Sequence, residues 1–264
     1  MCLRIITDVL LALNVGNTNV NYAVIDDGNV GESGSMPTPS VADATSVLSE
    51  LVDRVAPRQI VVASVVPAVS GALHDVAETR GIPLLIADET TIPIEIRVDS
   101  PGGVGHDRLV NAYAALRIHG APAIVVDMGT ATTFDVVAAD GAFIGGAIAA
   151  GAGLGLHALA NGTAQLPHVP LVMPESAIGR DTVTAMQSGA VIGHSGLVLI
   201  LIRAITEQLL AAGSPPPKVI LTGGLSSAEW ARAIPSVDVI DPYLTLEGLA
   251  RLHDEVGHPA GVQP

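Results

Sequence analysis

One short pattern occurs twice in this chain and limits the folds open to it: a strand runs into a polar residue, a glycine and small donor side chains, then restarts as a second strand. The first copy leads from Leu10–Leu13 through Asn14-Val15-Gly16-Asn17-Thr18-Asn19 into Tyr22–Asp26. The second leads from Ile124–Val126 through Asp127-Met128-Gly129-Thr130 into Thr132–Val137. β-Branched runs on either side of a short polar break read as tight hairpins. Such a turn suits phosphate. Glycine lets backbone N–H groups approach an anion, Asn and Thr add donors, and a carboxylate can hold a cation that bridges phosphate oxygens. An ordinary Gly/Asn hairpin shares the local sequence. Repetition shifts the balance toward phosphate, as does a third turn, Thr222-Gly223-Gly224, whose glycine pair would let a flat base or ribose lie against the backbone. Asn14, Gly16, Asn17, Thr18, Asn19, Gly129, Thr130, Gly223 and Gly224 are the candidate nucleotide residues.

Composition narrows the function. The chain has 264 residues, enough for one large domain or two smaller ones. Aromatics make up 2%, so the core must be built from Val, Ile, Leu and Ala. A net charge of −14 disfavours nucleic acid, which selects clustered Lys and Arg. Lys218 is the only lysine and no Gly-Lys-Ser/Thr sequence surrounds it, so a Walker-type phosphate loop is excluded. The lone Cys2 excludes an intrachain disulfide framework and points to a reducing compartment. Eight histidines show no i, i+4 pairing that would suggest a transition-metal site. Leu197–Ile202 is too short to span a bilayer, and no signal peptide is read in Met1–Leu13, so a cytoplasmic protein without a membrane partner is expected.

Strands and helices alternate along the chain, which argues an α/β fold. After Asp26-Asp27-Gly28, a turn, the Gly/Ser/Pro-rich stretch Gly31–Ser40 reads as loop. Helices are expected at Val41–Val55, Ala68–Arg80, Ala150–Ala160, from Val183 through Val191, at Leu197–Leu210 and at Leu244–Val256. Strands are expected at Ile60–Val66, Leu84–Ala87, Ala142–Ala149 and Val219–Leu221, with extended segments at Ile92–Pro101 and Leu166–Pro174. The boundary is expected near His119-Gly120-Ala121-Pro122, giving domains 1–119 and 120–264. Gly102-Gly103-Val104-Gly105-His106-Asp107-Arg108 opens a further helix. An acid in a first turn has two readings: charge–dipole complementarity, or a general base delivered by a glycine-rich turn.

Taken together, the motifs identify the family. The chain resembles the type III pantothenate kinases, within the superfamily of actin, sugar kinases and acetate kinase. The likeness is carried by Asn14-Val-Gly-Asn-Thr18, Ser64-Val-Val-Pro67, Gly105-His-Asp-Arg108, Val126–Asp135, Gly145-Gly-Ala-Ile148, Thr163–Pro167, Ile178–Val183 with Ala185–Gly189, Thr222-Gly-Gly224 and Leu244–Gly248. It implies a duplicated ribonuclease-H-like (actin-like ATPase) fold, two domains around an ATP cleft. It further implies a homodimer that phosphorylates the primary hydroxyl of pantothenate, the first step toward coenzyme A, using ATP, Mg²⁺ and a monovalent cation, K⁺ or NH₄⁺. By the same resemblance Gly16, Asn17 and Thr18 cradle phosphates and Thr130 contacts ATP. Asp127 holds the monovalent cation and Asp107 accepts the hydroxyl proton. Gly105, Arg108 and Thr182 contact the acceptor.

Four positions depart from the family pattern. Asn14 replaces an aspartate that would hold Mg²⁺ through water, keeping an oxygen but losing its charge. Val98 replaces a tyrosine set against pantothenate, Ser35 an arginine, and His106 a small residue beside Asp107. Two further readings therefore stay open beside the pantothenate kinase: a kinase of the same fold acting on another small alcohol, and a weakened or non-catalytic nucleotide-binding relative.

Overall fold

The computed structural model describes residues 9–26 and 29–257. In chain order these form β1 (Leu10–Val15), β2 (Asn19–Asp26), β3 (Asn29–Pro37), α1 (Ala44–Val55), β4 (Gln59–Ser64), α2 (Pro67–Arg80), β5 (Leu84–Ile86), α3 (His106–Ala114), β6 (Ala123–Met128), β7 (Ala131–Val137), β8 (Phe143–Ala150), α4 (Ala152–Gly162), α5 (Thr182–Ala211), β9 (Lys218–Thr222), α6 (Glu229–Arg232), β10 (Val239–Ile240) and α7 (Leu244–Gly257). A 3-10 turn at Pro101–Gly103 precedes α3, and a π-helical stretch, Ala115–His119, follows it.

The chain divides into two compact units. The first holds the described residues up to Ile94, with Asp99–Arg117 and the chain from Leu244; the second holds Glu95–Val98 and Ile118–Tyr243. Each is built on a five-stranded sheet, ordered β3-β2-β1-β4-β5 in one and β8-β7-β6-β9-β10 in the other. The pairing repeats as well. The first three strands of each sheet are antiparallel neighbours, and the fourth and fifth run parallel to the first. Antiparallel neighbours need only hairpins, whereas parallel ones need crossovers; α1 and α2 serve the first sheet, and α4, α5 and α6 the second.

The first core gathers Leu11, Leu13, Val15, Leu48, Ile60, Val62 and Leu73. The second gathers Ile124, Val126, Met128, Phe134, Val198, Ile202 and Leu221. Local chemistry sets the helix ends. Pro67 occupies the first turn of α2, where a missing N–H costs nothing, and Gly81 ends that helix in the left-handed region. Asp181 caps α5, accepting from Thr184 N at 2.8 Å, while Thr184 Oγ1 accepts from the Asp181 backbone.

Several expectations change. Of Gly31–Ser40 only Thr38–Ser40 is loop: the rest belongs to β3, which pairs antiparallel with β2 as an edge strand. Its side chains are mostly exposed, so it carries no apolar alternation, and Gly34 leaves room for the Tyr22 ring, whose Oη would lie 2.5 Å from a Cβ there. The helices expected on either side of Leu197 are one 30-residue helix, α5. Gly193 and Gly196 weaken a helix by about 1 kcal/mol each but keep their N–H groups, so nothing breaks it. By length and composition alone α5 could cross a membrane, which the separate short runs did not suggest. Its Val191, Val198, Ile202 and Leu209 nonetheless belong to the second core.

The division also differs from a linear cut at residue 119. Glu95–Val98 belong to the second unit, where Arg97 N donates to Phe143 O at 2.9 Å and Phe143 N to Glu95 O at 2.8 Å. Helix α7 belongs to the first, packed on α3, β1 and β4. There Thr245 Oγ1 donates to the buried Asn111 Oδ1 at 2.6 Å, and Tyr113 Oη to Glu255 at 2.7 Å. Asp27-Gly28 of the expected turn, the first part of the apolar N-terminus and most of the C-terminal tail lie outside the described residues.

The α3–α7 contact has no spare volume at Gly248, where a Cβ would sit 2.7 Å from Ala114 Cβ and 3.1 Å from Val110 Cγ1. Gly248→Val should therefore overpack it and cost about 1–3 kcal/mol. Urea unfolding checks this, and an unchanged midpoint would contradict the packing described.

Candidate functional site

In the first unit, β1 delivers the phosphate-type turn. All of β1 is buried except Asn14, which is partly exposed, and the turn that follows closes through Gly16 N–H donating to Asn19 O at 2.9 Å. The end of β3 fastens it: Thr38 Oγ1 donates to Gly16 O at 2.6 Å and Thr38 N to Thr18 O at 2.9 Å. Asn17, Thr18 and Asn19 are exposed around this fixed backbone. Thr38 was not singled out in sequence, because a threonine after a proline carries no motif of its own. Asn14 Oδ1 is buried and accepts no hydrogen bond. An acceptor oxygen left unsatisfied at the mouth of a phosphate turn fits the water shell of a hard divalent cation, though with a dipole where a carboxylate would supply a charge.

The second unit repeats the construction. Gly129 N–H donates to Ala131 O at 2.9 Å, and Asp127, next to last in β6, has Thr133 and Thr222 as its partners across the sheet. Glycines press against the turn from two sides. Gly223 has φ +89°, and a Cβ on it would lie 2.2 Å from Asp127 Oδ1 and 2.7 Å from Met128 N. Gly151 donates to Thr130 O at 3.0 Å, and a Cβ on it would lie 2.3 Å from Gly129 O. Leu225 N–H donates to Met128 O at 3.0 Å. The third glycine turn is thus folded onto the second, so Asp127, Gly129, Thr130 and Gly223 are neighbours, while Gly224 faces open space. Gly151 falls at the start of the helix expected at Ala150–Ala160; its position between a strand and a helix was the available signal.

The acceptor-side residues fall into two groups. Gly105, His106, Asp107 and Arg108 lie together in the first unit, at the start of α3. Asp107 Oδ1 accepts from Arg108 N at 2.8 Å and would lie 2.6 Å from any Cβ at position 105, so only glycine leaves that carboxylate its place. Burial raises the Asp107 pKa above the usual aspartate range; the Arg108 N–H bond and the charges of Arg108 and His106 oppose the rise without cancelling it. Val98 and Thr182 belong to the second unit. Val98 Cγ1 is 3.6 Å from where Gly145 would carry a Cβ. Thr182, exposed, opens α5 and helps line an apolar cavity of about 640 Å³ with Leu156, Met186 and His194. His194 is buried against Thr132 Oγ1 at 3.0 Å, and burial lowers its pKa, which keeps it neutral.

Two sheets of the same order, each with a glycine turn between its first and second strands, define the actin-like ATPase and sugar-kinase class. Solved structures agree on the fold: a putative Baf family transcriptional activator from Campylobacter jejuni (TM-score 0.57, 17% identity, 93% of this chain and 98% of that one) and a ROK family glucokinase from Streptomyces griseus in complex with glucose and AMPPNP (TM-score 0.53, 14% identity, 92% and 98%). Within that class, residues 10–204 match the family described as type III pantothenate kinase. The curated type III pantothenate kinase of Rhodospirillum centenum is 40% identical over 256 residues, covering 93% of this chain and 98% of its own; that of Ruegeria sp. is 41% identical over 261, covering 93% and 96%. The chain belongs to the type III pantothenate kinase family, an ATP-using family of transferases.

Gly223→Ala should combine a left-handed φ, worth about 1–2 kcal/mol, with a clash against Asp127 and Met128. It should weaken binding of a non-hydrolysable ATP analogue at least tenfold while also lowering the melting temperature. Calorimetric titration with parallel melting curves checks this; wild-type affinity would remove the third turn from the nucleotide site.

Proposed function

We propose that this chain transfers the γ-phosphoryl group of ATP to the primary hydroxyl of pantothenate. The observation that carries the mechanism is Asp107, a partly buried carboxylate with a raised pKa on the first turn of α3. Phosphoryl transfer to an alcohol needs alignment, charge neutralisation and a modest base. In this reading Asp107 takes the hydroxyl proton as the phosphoryl group arrives, and Arg108 binds the acceptor's carboxylate. The turns Gly16–Asn19 and Gly129–Thr130 cradle the phosphate oxygens, Gly224 leaves space for the nucleoside, and Gly223 lets the third turn close on Asp127. Thr182 contacts the acceptor.

Asn14 would hold the water shell of a Mg²⁺ ion, which when bound would supply charge neutralisation for the transfer. Asp127 is assigned to a monovalent cation, K⁺ or NH₄⁺. Ile192, Leu197 and Ile200 form an exposed apolar face on α5 that we assign to a homodimer contact. The cytoplasm, where ATP and pantothenate meet, is the proposed compartment. Purified protein with ATP, Mg²⁺, K⁺ and millimolar pantothenate should release ADP in step with phosphopantothenate; no turnover under those conditions would contradict the proposal.

Asn14 favours a second reading, a kinase of reduced power. Replacing a charge about 5 Å from the metal by a dipole, at an effective dielectric near 20, forfeits on the order of 1–3 kcal/mol. Asn14→Asp should therefore raise kcat/KM for MgATP by about 10- to 100-fold. Inactivity of both forms would favour a binding protein.

Asp107→Asn should lower kcat by about 10²- to 10⁴-fold. Because the folded pKa of Asp107 lies above its unfolded value, ionisation opposes folding, and stability falls as pH rises through that interval. At neutral pH the asparagine variant should thus melt no lower than wild type. Loss of activity accompanied by a lower melting temperature would instead mark Asp107 as a structural residue.

A further inference from the structure

Beside Asp107, a second titratable side chain is left incomplete. His106, the first residue of α3, places Nε2 3.7 Å from Glu89 Oε2, both side chains being about one-third exposed. Its other ring nitrogen, Nδ1, is buried and has no hydrogen-bond partner. The surrounding chain leaves room for this pair. A Cβ at Gly102 would come 3.4 Å from Glu89 Oε1, and Gly105, bare because of Asp107, separates the 3-10 turn from His106. The charged groups around the imidazole are Glu89 on one side and the adjacent Asp107 and Arg108 on the other. A carboxylate 3.7 Å from Nε2 favours the tautomer with its proton there, which leaves the lone pair on Nδ1. A buried acceptor without a donor is costly and rare. It sits one residue from the proposed base, so a donor arriving with the acceptor alcohol would satisfy it.

Resting on the reading of Asp107 as the base, we infer that His106, oriented by Glu89, is a specificity-determining residue whose Nδ1 accepts a hydrogen bond from a second donor on the acceptor. The substrate class is then narrower than a primary alcohol. It is an alcohol bearing another hydroxyl or an amide N–H a few bonds from the hydroxyl that is phosphorylated. Pantothenate, with a secondary hydroxyl and an amide, meets this requirement; a simple alkanol does not.

The test is a calorimetric and kinetic comparison of wild type, His106→Leu and His106→Asn with pantothenate and with its analogue lacking the secondary hydroxyl, alongside melting curves. Asparagine restores a polar atom near the position of Nδ1, whereas leucine fills the space without one. His106→Leu should raise Kd and KM for pantothenate roughly 3- to 10-fold, the size of one hydrogen bond, with kcat and the KM for ATP within about twofold of wild type. His106→Asn should recover most of that loss. If the secondary hydroxyl is the donor, the analogue should bind wild type more weakly than pantothenate and His106→Leu equally well; if the amide is, leucine should weaken both ligands alike and asparagine should rescue both. Equal Kd for pantothenate in wild type and His106→Leu would overturn the inference, as would no measurable binding to wild type. Binding without turnover would sink the kinase reading while the ratio of Kd values still decides His106.

Discussion

Each sheet turns on a single backbone closure. Gly16 N–H donates to Asn19 O in one and Gly129 N–H to Ala131 O in the other, both at 2.9 Å, and each closure reverses the chain between the first and second strands. The strand entering each turn also has a parallel neighbour on its other side, β4 for β1 and β9 for β6, so it sits at the centre of its sheet. A turn at the carboxyl end of a buried central strand is held by the whole core beneath it, and Asn17, Thr18 and Asn19 stand exposed around the first. Such a backbone offers donors to an anion without having to rearrange, which is what electrostatic stabilisation of a transferring phosphoryl group requires. Much of what surrounds the turns reads as support: Thr38 fastens the first, and Gly151 and Gly223 press on the second.

Much of this was legible in the sequence, for identifiable reasons. The two hairpins announced themselves because β-branched runs flank a short polar break, a pattern that survives whatever surrounds it. Strand β3 was invisible because an exposed edge strand has no face to bury, and its Gly and Ser residues resemble loop chemistry until β2 is there to pair with. The continuity of α5 was hidden by glycines that depress helical propensity without removing a hydrogen bond. The place of α7 depends on contacts with α3, β1 and β4 that lie far away along the chain, so no linear boundary could have assigned it.

The site was legible unevenly. Asp107 could be located as an acid in a first helical turn, but its raised pKa depends on burial and its place on the bare Gly105 beside it, neither of which a sequence displays. Glu89 escaped notice because it lies in a loop with no motif; only the fold brings it to His106. Asn14 is the reverse case. The resemblance marked it as a departure from aspartate, and the structure adds that its oxygen is buried with no donor.

Hydrogen exchange of the backbone amides reads the central claim most directly, because it reports each turn separately. With a non-hydrolysable ATP analogue and Mg²⁺, amides of residues 16–19 and 129–131 should both slow by at least tenfold relative to the free protein. Protection confined to one turn, or appearing only elsewhere in the chain, would contradict the assignment of the paired glycine turns to the triphosphate.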